Sequence, residues 1–186
     1  MNIPQFDFKD GRLYNNDMRK SQFGFPIAVL LLLAAIVTAQ IENLPQLINQ
    51  MPWTGSGKLA LELFKKAEQT GLADIDLWFK LGLALFDAQS YHPALGSFRH
   101  ITQGEKACCQ VFKFGAYVWQ GHIYDLLGRR KEARDCYKKA LVLEDKNRGL
   151  VLRHDQFGLV LDRTWVQERL STPFVAKGHD PQSQRK

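Results

Sequence analysis

The sequence predicts an all-α protein: a short solenoid of helix–turn–helix units, with one apolar membrane segment before it and a capping segment after it. Three observations carry this. First, Tyr117, Gly121 and Tyr124, then Ala133, Tyr137 and Ala140, fall at helical spacing on either side of a turn at Gly128. Second, the arrangement recurs 39 residues upstream (117 − 78) as Trp78, Leu81, Gly82 and Leu85, then Ala94, Phe98 and Ile101. Such a pair cannot bury its apolar faces alone, so it asks for stacked neighbours. Third, Phe23 to Ile41 is a run of 19 residues without Asp, Glu, Lys or Arg.

In both copies the glycine of the first helix precedes an alanine of the second by 12 (94 − 82 and 133 − 121). This pattern resembles the tetratricopeptide repeat, which places Trp, Leu-Gly and Tyr on helix A and Ala, Phe and Ala on helix B. The helix-B triplet appears once more as Ala60, Phe64 and Ala67, and 94 − 60 gives the family's period of 34. The resemblance covers Gln40 to Asp145. Repeat 2 arrives five residues late (39 − 34), the extra length falling in Ile101–Phe114; Gln120 replaces the usual Leu, and Asp145 the usual terminal Pro. The resemblance implies close A–B packing at Gly82 and Gly121.

The membrane segment follows from length. At ~1.5 Å per residue its 19 residues reach about 28 Å as a helix, close to a bilayer's hydrocarbon thickness. It is apolar all round, unlike a core helix with a polar stripe. Pro26 sits in its first turn, where a missing N–H costs little. Lys9, Arg12, Arg19 and Lys20 precede the run, and the first basic residue after it is Lys58. Positive charge stays on the cytoplasmic side, so the N-terminus is expected inside and the repeats outside, in the periplasm if the source is bacterial. Val37-Thr38-Ala39 also fits cleavage after Ala39, which would release an exported soluble repeat protein.

The remaining segments follow in order. Residues 1–22 form a polar, exposed tail, 23–41 the membrane segment, and 42–57 a linker or degraded helix A interrupted by Pro45 and Pro52. The repeats occupy 58–145. Helix B of the first unit spans Lys58–Gln69, with Leu59, Leu63, Phe64 and Ala67 as its core stripe and Gly71 ending it. Repeat 1 follows with helices near Ile75–Ala88 and Tyr91–Thr102, and repeat 2 runs from about Ala107 to Leu143. Residues 146–176 form the cap. There Leu150, Val151, His154, Phe157, Gly158 and Leu161 share one helical face, while Phe157, Leu159 and Leu161 alternate as in a strand. Thr164 to Gln167 reads as a capping box opening a short helix anchored by Trp165 and stopping before Pro173. Residues 177–186 are a basic tail.

The chemistry of catalysis is missing. None of His92, His100, His122, His154 and His179 forms an i, i+4 pair, and no zinc, hydrolase or dinucleotide motif occurs. Gly55-Ser56-Gly57-Lys58 imitates a phosphate loop, but Pro52 and Leu59 stand where that motif needs Gly and Ser or Thr. No cofactor or metal is expected, and the protein is read as a non-enzyme. A net charge of +6 and a pI near 9.3 favour acidic partners or membrane surfaces, while no nucleic-acid module is present. Cys108, Cys109 and Cys136 are no disulfide framework; Cys108 and Cys136 read as small buried hydrophobes, and a thiol redox role for Cys108 or Cys109 is the third function class.

The leading function is a membrane-anchored adaptor for a partner protein. The resemblance places the concave groove at Phe79, Leu83 and Phe86 in repeat 1 and Val118, His122 and Asp125 in repeat 2. That groove is either open to a partner or filled by the chain's own linker or C-terminal segment. A second surface is basic, with Arg129, Arg130, Lys131, Arg134, Lys138 and Lys139. If the groove is covered, partner binding falls to this face.

Overall fold

The computed structural model describes residues 8–9, 12–13, 43–104, 110–154 and 159–175. The expected membrane segment at 23–41, the basic tail at 177–186, Cys108 and Cys109 lie outside them. Among the described residues no helix is long and apolar enough to cross a membrane. The chain divides into two units, Met1–Gln40 and Ile41–Lys186. In the first, β1 (Phe8–Lys9) pairs antiparallel with β2 (Arg12–Leu13), so the polar tail holds a short strand pair.

The second unit begins with a helix, α1, over residues 43–50. Leu44 and Ile48, four apart, are buried, and Met51 is buried just beyond. The 42–57 segment is therefore more than a linker. Pro45 falls in the first turn of the described helix, where its missing N–H costs little, and Pro52 lies beyond its end.

Helix α2 (Gly57–Thr70) buries Ala60, Leu63, Phe64 and Ala67, one stripe at spacings of three and four. Leu59, expected in that stripe, is exposed; the stripe turns through Ala60 instead. Gly71 ends the helix at φ 65, its N–H bonded to the Ala67 carbonyl.

Helix α3 (Ile75–Asp87) opens on Asp74, whose side chain accepts from the N–H groups of Asp76 and Leu77. It is buried almost all round, as a helix with neighbours on every side must be. Helix α4 (Tyr91–Gln103) returns against it, burying Ala94, Leu95, Phe98 and Ile101. Helix α5 (Gln110–Leu126) and α6 (Arg130–Lys146) repeat the hairpin, turning at Gly128 with φ 71.

Both hairpins lock by the same contact. A Cβ on Gly82 would come within 2.8 Å of the Phe98 ring, and one on Gly121 within 2.3 Å of the Tyr137 ring. Each glycine meets an aromatic 16 residues on (98 − 82 and 137 − 121), four beyond the alanine that marked the spacing. Gly96 faces Phe64 in the same way, joining α4 to α2.

After α6 the described residues of 150–161 hold strands in place of the expected helix, Phe157 of the strand alternative lying outside them. β3 (Leu152–His154) pairs antiparallel with β4 (Leu159–Leu161), Leu152 opposite Leu161. Period two decides it: Leu161 is buried and Val160, next to it, is exposed. Among the described residues the fold is mostly helical, consistent with the expected all-α repeat fold, with two small strand pairs added. Helix α7 (Arg163–Ser171) follows and packs on α6. Its cap is Asp162, which accepts from the Trp165 N–H at 2.8 Å, rather than Thr164.

Candidate functional site

Phe79, Leu83 and Phe86 stand at i, i+4 and i+7 on α3, and Val118, His122 and Asp125 at i, i+4 and i+7 on α5, so each trio shares one helix face. The structure buries all of them. Leu83, Val118 and His122 have no accessible surface, nor has the Asp125 side chain. The repeat 1 trio packs under aromatic rings of α4 and α5. Phe79 packs edge-on against Phe98 and against Phe112 of α5, and Phe86 edge-on against Trp119.

His122 and Asp125 of the repeat 2 trio are covered by the chain's own C-terminal segment. Leu152 of β3 lies on Gly115, so close that a Cβ there would stand 2.5 Å from its Cδ2. Farther along α5, the Phe174 ring stacks on His122 with centroids 3.9 Å apart and 13° between planes. The Trp165 indole N–H donates to His122 Nε2 at 3.1 Å. Leu152 thus meets α5 at Gly115, and Phe174 meets it two turns on at His122.

Asp125 and Arg130 fasten that cover. Asp125 accepts from Arg130 at 2.9 and 3.1 Å, from the Tyr137 hydroxyl at 2.9 Å and from the Phe174 backbone N–H at 2.8 Å. These donors satisfy a carboxylate that water cannot reach. Arg130 turns its other guanidinium nitrogen to the carbonyls of Arg169 and Leu170 at 2.7 and 2.9 Å. Those carbonyls lie in the last turn of α7, where a cation is favoured. Arg169 in turn stacks over Trp165, pairs with Glu168 and donates to the Pro173 carbonyl.

The electrostatics follow from burial. Burial first, then the Arg169 charge, holds His122 well below the ordinary histidine value, so its ring is neutral. Because Nε2 accepts from Trp165, the ring proton sits on Nδ1, which is buried without a hydrogen-bond partner. Burial and the neighbouring Asp125 push the Tyr137 hydroxyl up, so it stays a donor.

The basic face is smaller than expected. Arg130 belongs to the interior latch, and Arg129 is paired with Glu132 and lies over the Tyr124 ring. Lys131, Arg134, Lys138 and Lys139 are exposed along α6, and Lys146 extends the row. Cys136 is buried, its thiol pushed up to about 11 by burial, which keeps it a poor nucleophile. Among the described residues no group of His, Cys, Asp and Glu is placed to hold a metal.

Sequence reasoning named Trp165 as the anchor of the cap but missed Phe174, Leu152 and the inward turn of Arg130. Phe174 was signalled only as the one aromatic between Trp165 and the basic tail. A helical pair with a glycine–aromatic lock, repeated along the chain and closed by a cap, defines a helical-repeat scaffold. Residues 114–147, which contain nearly all of α5 and α6, match the family model described as Tetratricopeptide repeat. No curated protein and no solved structure matches the chain.

Proposed function

We propose that this chain is an interaction scaffold of the tetratricopeptide kind, tethered to a membrane by residues 23–41, that meets a partner protein on its outer surface. The observation that carries the reading is the match of residues 114–147 to the repeat family, one of two helix pairs locked by the same glycine–aromatic contact. Repeat proteins of this architecture act by binding, and here the inner face of repeat 2 is taken by Trp165 and Phe174 of the same chain. A partner is then met on the outward side of the helix pairs, where α6 presents Lys131, Arg134, Lys138 and Lys139. The tether rests on the uncharged run and on its basic N-terminal flank.

Crosslinking in native membranes tests the scaffold, with photoreactive residues placed at exposed positions on α2, α4 and α6. Specific products from any of them support it; none from all three overturns it. Protease added from outside to intact cells or spheroplasts should digest the repeats and spare the N-terminal tail. A mature N-terminus at Gln40 replaces the tether with release after Ala39.

A further inference from the structure

We infer that a cleft between α5 and α6 binds an acidic segment of a partner protein that inserts one apolar side chain. The inference rests on the scaffold reading above and gives its outer surface a location and a ligand chemistry. The cleft has a volume of about 310 Å³ and is lined by Tyr117, Lys138, Lys139, Val142, Leu143 and Lys146. That is the small end of ligand-pocket size, room for an anchoring side chain rather than a folded domain.

Its chemistry is divided. Tyr117, Val142 and Leu143 make an apolar floor, and Val142 keeps 54% of its surface exposed, an apolar side chain left in water among three lysines. Lys138, Lys139 and Lys146 are exposed on the rim, and Lys139 Nζ lies 6.0 Å from the Tyr117 ring centroid. No acid lines the cleft. Of the carboxylates on α6, Glu144 and Asp145 both take Arg163, Glu132 takes Arg129, and Asp135, one turn before Lys138 and Lys139, lines the neighbouring hollow between α4, α5 and α6 instead. The rim thus gathers three lysines around an apolar centre, with Asp135 one turn along α6 outside it.

Spacing sets the size of the ligand. Lys138 and Lys146 are eight residues apart (146 − 138), or ~12 Å along the helix axis, the span of about four residues of extended chain. A short run of Asp or Glu around one aromatic or branched side chain satisfies both halves of the cleft. A bilayer offers its headgroups as a charged surface, whereas exposed Val142 among three lysines asks for one apolar side chain flanked by acids, so the peptide is favoured over anionic lipid.

The test uses the full chain in neutral detergent micelles and a short fluorescein-labelled peptide of glutamates flanking one tryptophan. Anisotropy should rise on binding, fall with added salt, and show no competition from the glutamine version of the peptide. Lys138→Glu with Lys146→Glu, and separately Val142→Asp, should each weaken binding about tenfold or more. All three positions are exposed, so helicity should be kept. Equal binding by the variants, equal competition by the glutamine peptide, or binding of phosphatidylglycerol vesicles in place of the peptide overturns the assignment. Membrane crosslinks from Gln69 or His92 but never from position 142 remove the cleft and leave the scaffold standing.

Discussion

The Tyr137 ring lies against Gly121 so closely that a Cβ on the glycine would stand 2.3 Å from Cε1. The ring cannot retreat. Tyr137 has no accessible surface, and its hydroxyl is held by Asp125 at 2.9 Å. Gly121→Ala should therefore destabilise by about 1–3 kcal/mol through overpacking, only partly offset by a helix-propensity gain of roughly 0.5–1 kcal/mol. Gly128→Ala is the control. Nothing lies within 4 Å of its Cβ position, and its φ of 71 confines the cost to backbone strain, about 1–2 kcal/mol. Thermal melts of the two variants separate packing from strain; an unchanged melting temperature for Gly121→Ala sinks the lock.

Buried His122, with the Arg169 charge near it, makes stability depend on pH. An unfolded histidine takes a proton near its ordinary value of about 6.5, whereas the folded ring resists it well below that. Stability is thus fully present above about 6.5 and is lost as the pH falls from there towards the folded value. With one proton at stake the slope reaches about 1.4 kcal/mol per pH unit. His122→Phe keeps a ring against Phe174 and should flatten this limb of the melting curve between about pH 6.5 and 5. An acid limb of undiminished slope in the variant assigns the effect to carboxylates.

The repeats were legible because a helix pair must place small residues opposite large ones, and Gly82–Phe98 and Gly121–Tyr137 write that rule into the spacing. The groove was not. Period and exposure are separate facts: His122 and Asp125 were read as lining a groove, yet Trp165 and Phe174, about 40 to 50 residues on, lie against them. Residues 150–161 carried both a three–four and a two-residue period, and only the burial of Leu161 beside exposed Val160 decides between them. Thr164 resembled a cap by composition, but Asp162 lies three residues before Trp165, within reach of its N–H. Arg130 sat in a basic run, and its inward turn follows from Asp125, five residues earlier, being denied water.

That latch predicts what releases the cover. Arg130→Ala leaves the buried Asp125 carboxylate short of its cation and frees the Arg169 and Leu170 carbonyls. The loss should be about 2–4 kcal/mol, below the full cost of breaking a wholly buried pair because Arg130 is partly open to water. Limited proteolysis should then cut between Asp162 and Phe174 while α3 to α6 stay protected. Cleavage unchanged from the wild type places the hold on the cover in the Trp165 and Phe174 rings alone.

Lys80 ties the first helix to the repeats, and its removal gives the last test. It is a buried lysine on α3 whose Nζ donates to the Asn49 carbonyl at 2.6 Å and lies 5.1 Å from the Trp53 ring centroid. Asn49 is in the last turn of the described α1, where carbonyls lack intrahelical donors and favour a cation. Burial lowers the lysine below its ordinary value, so the site strains against the charge that it uses. Lys80→Met keeps the aliphatic stem in place and removes only the donor. It should cost about 1–2 kcal/mol, the loss of a charge-assisted hydrogen bond and one unsatisfied carbonyl. Hydrogen exchange should rise over residues 43–50 and around Trp53 while α5 and α6 stay unchanged. Even protection across the whole second unit would show that Leu44 and Ile48 hold the helix without the tie.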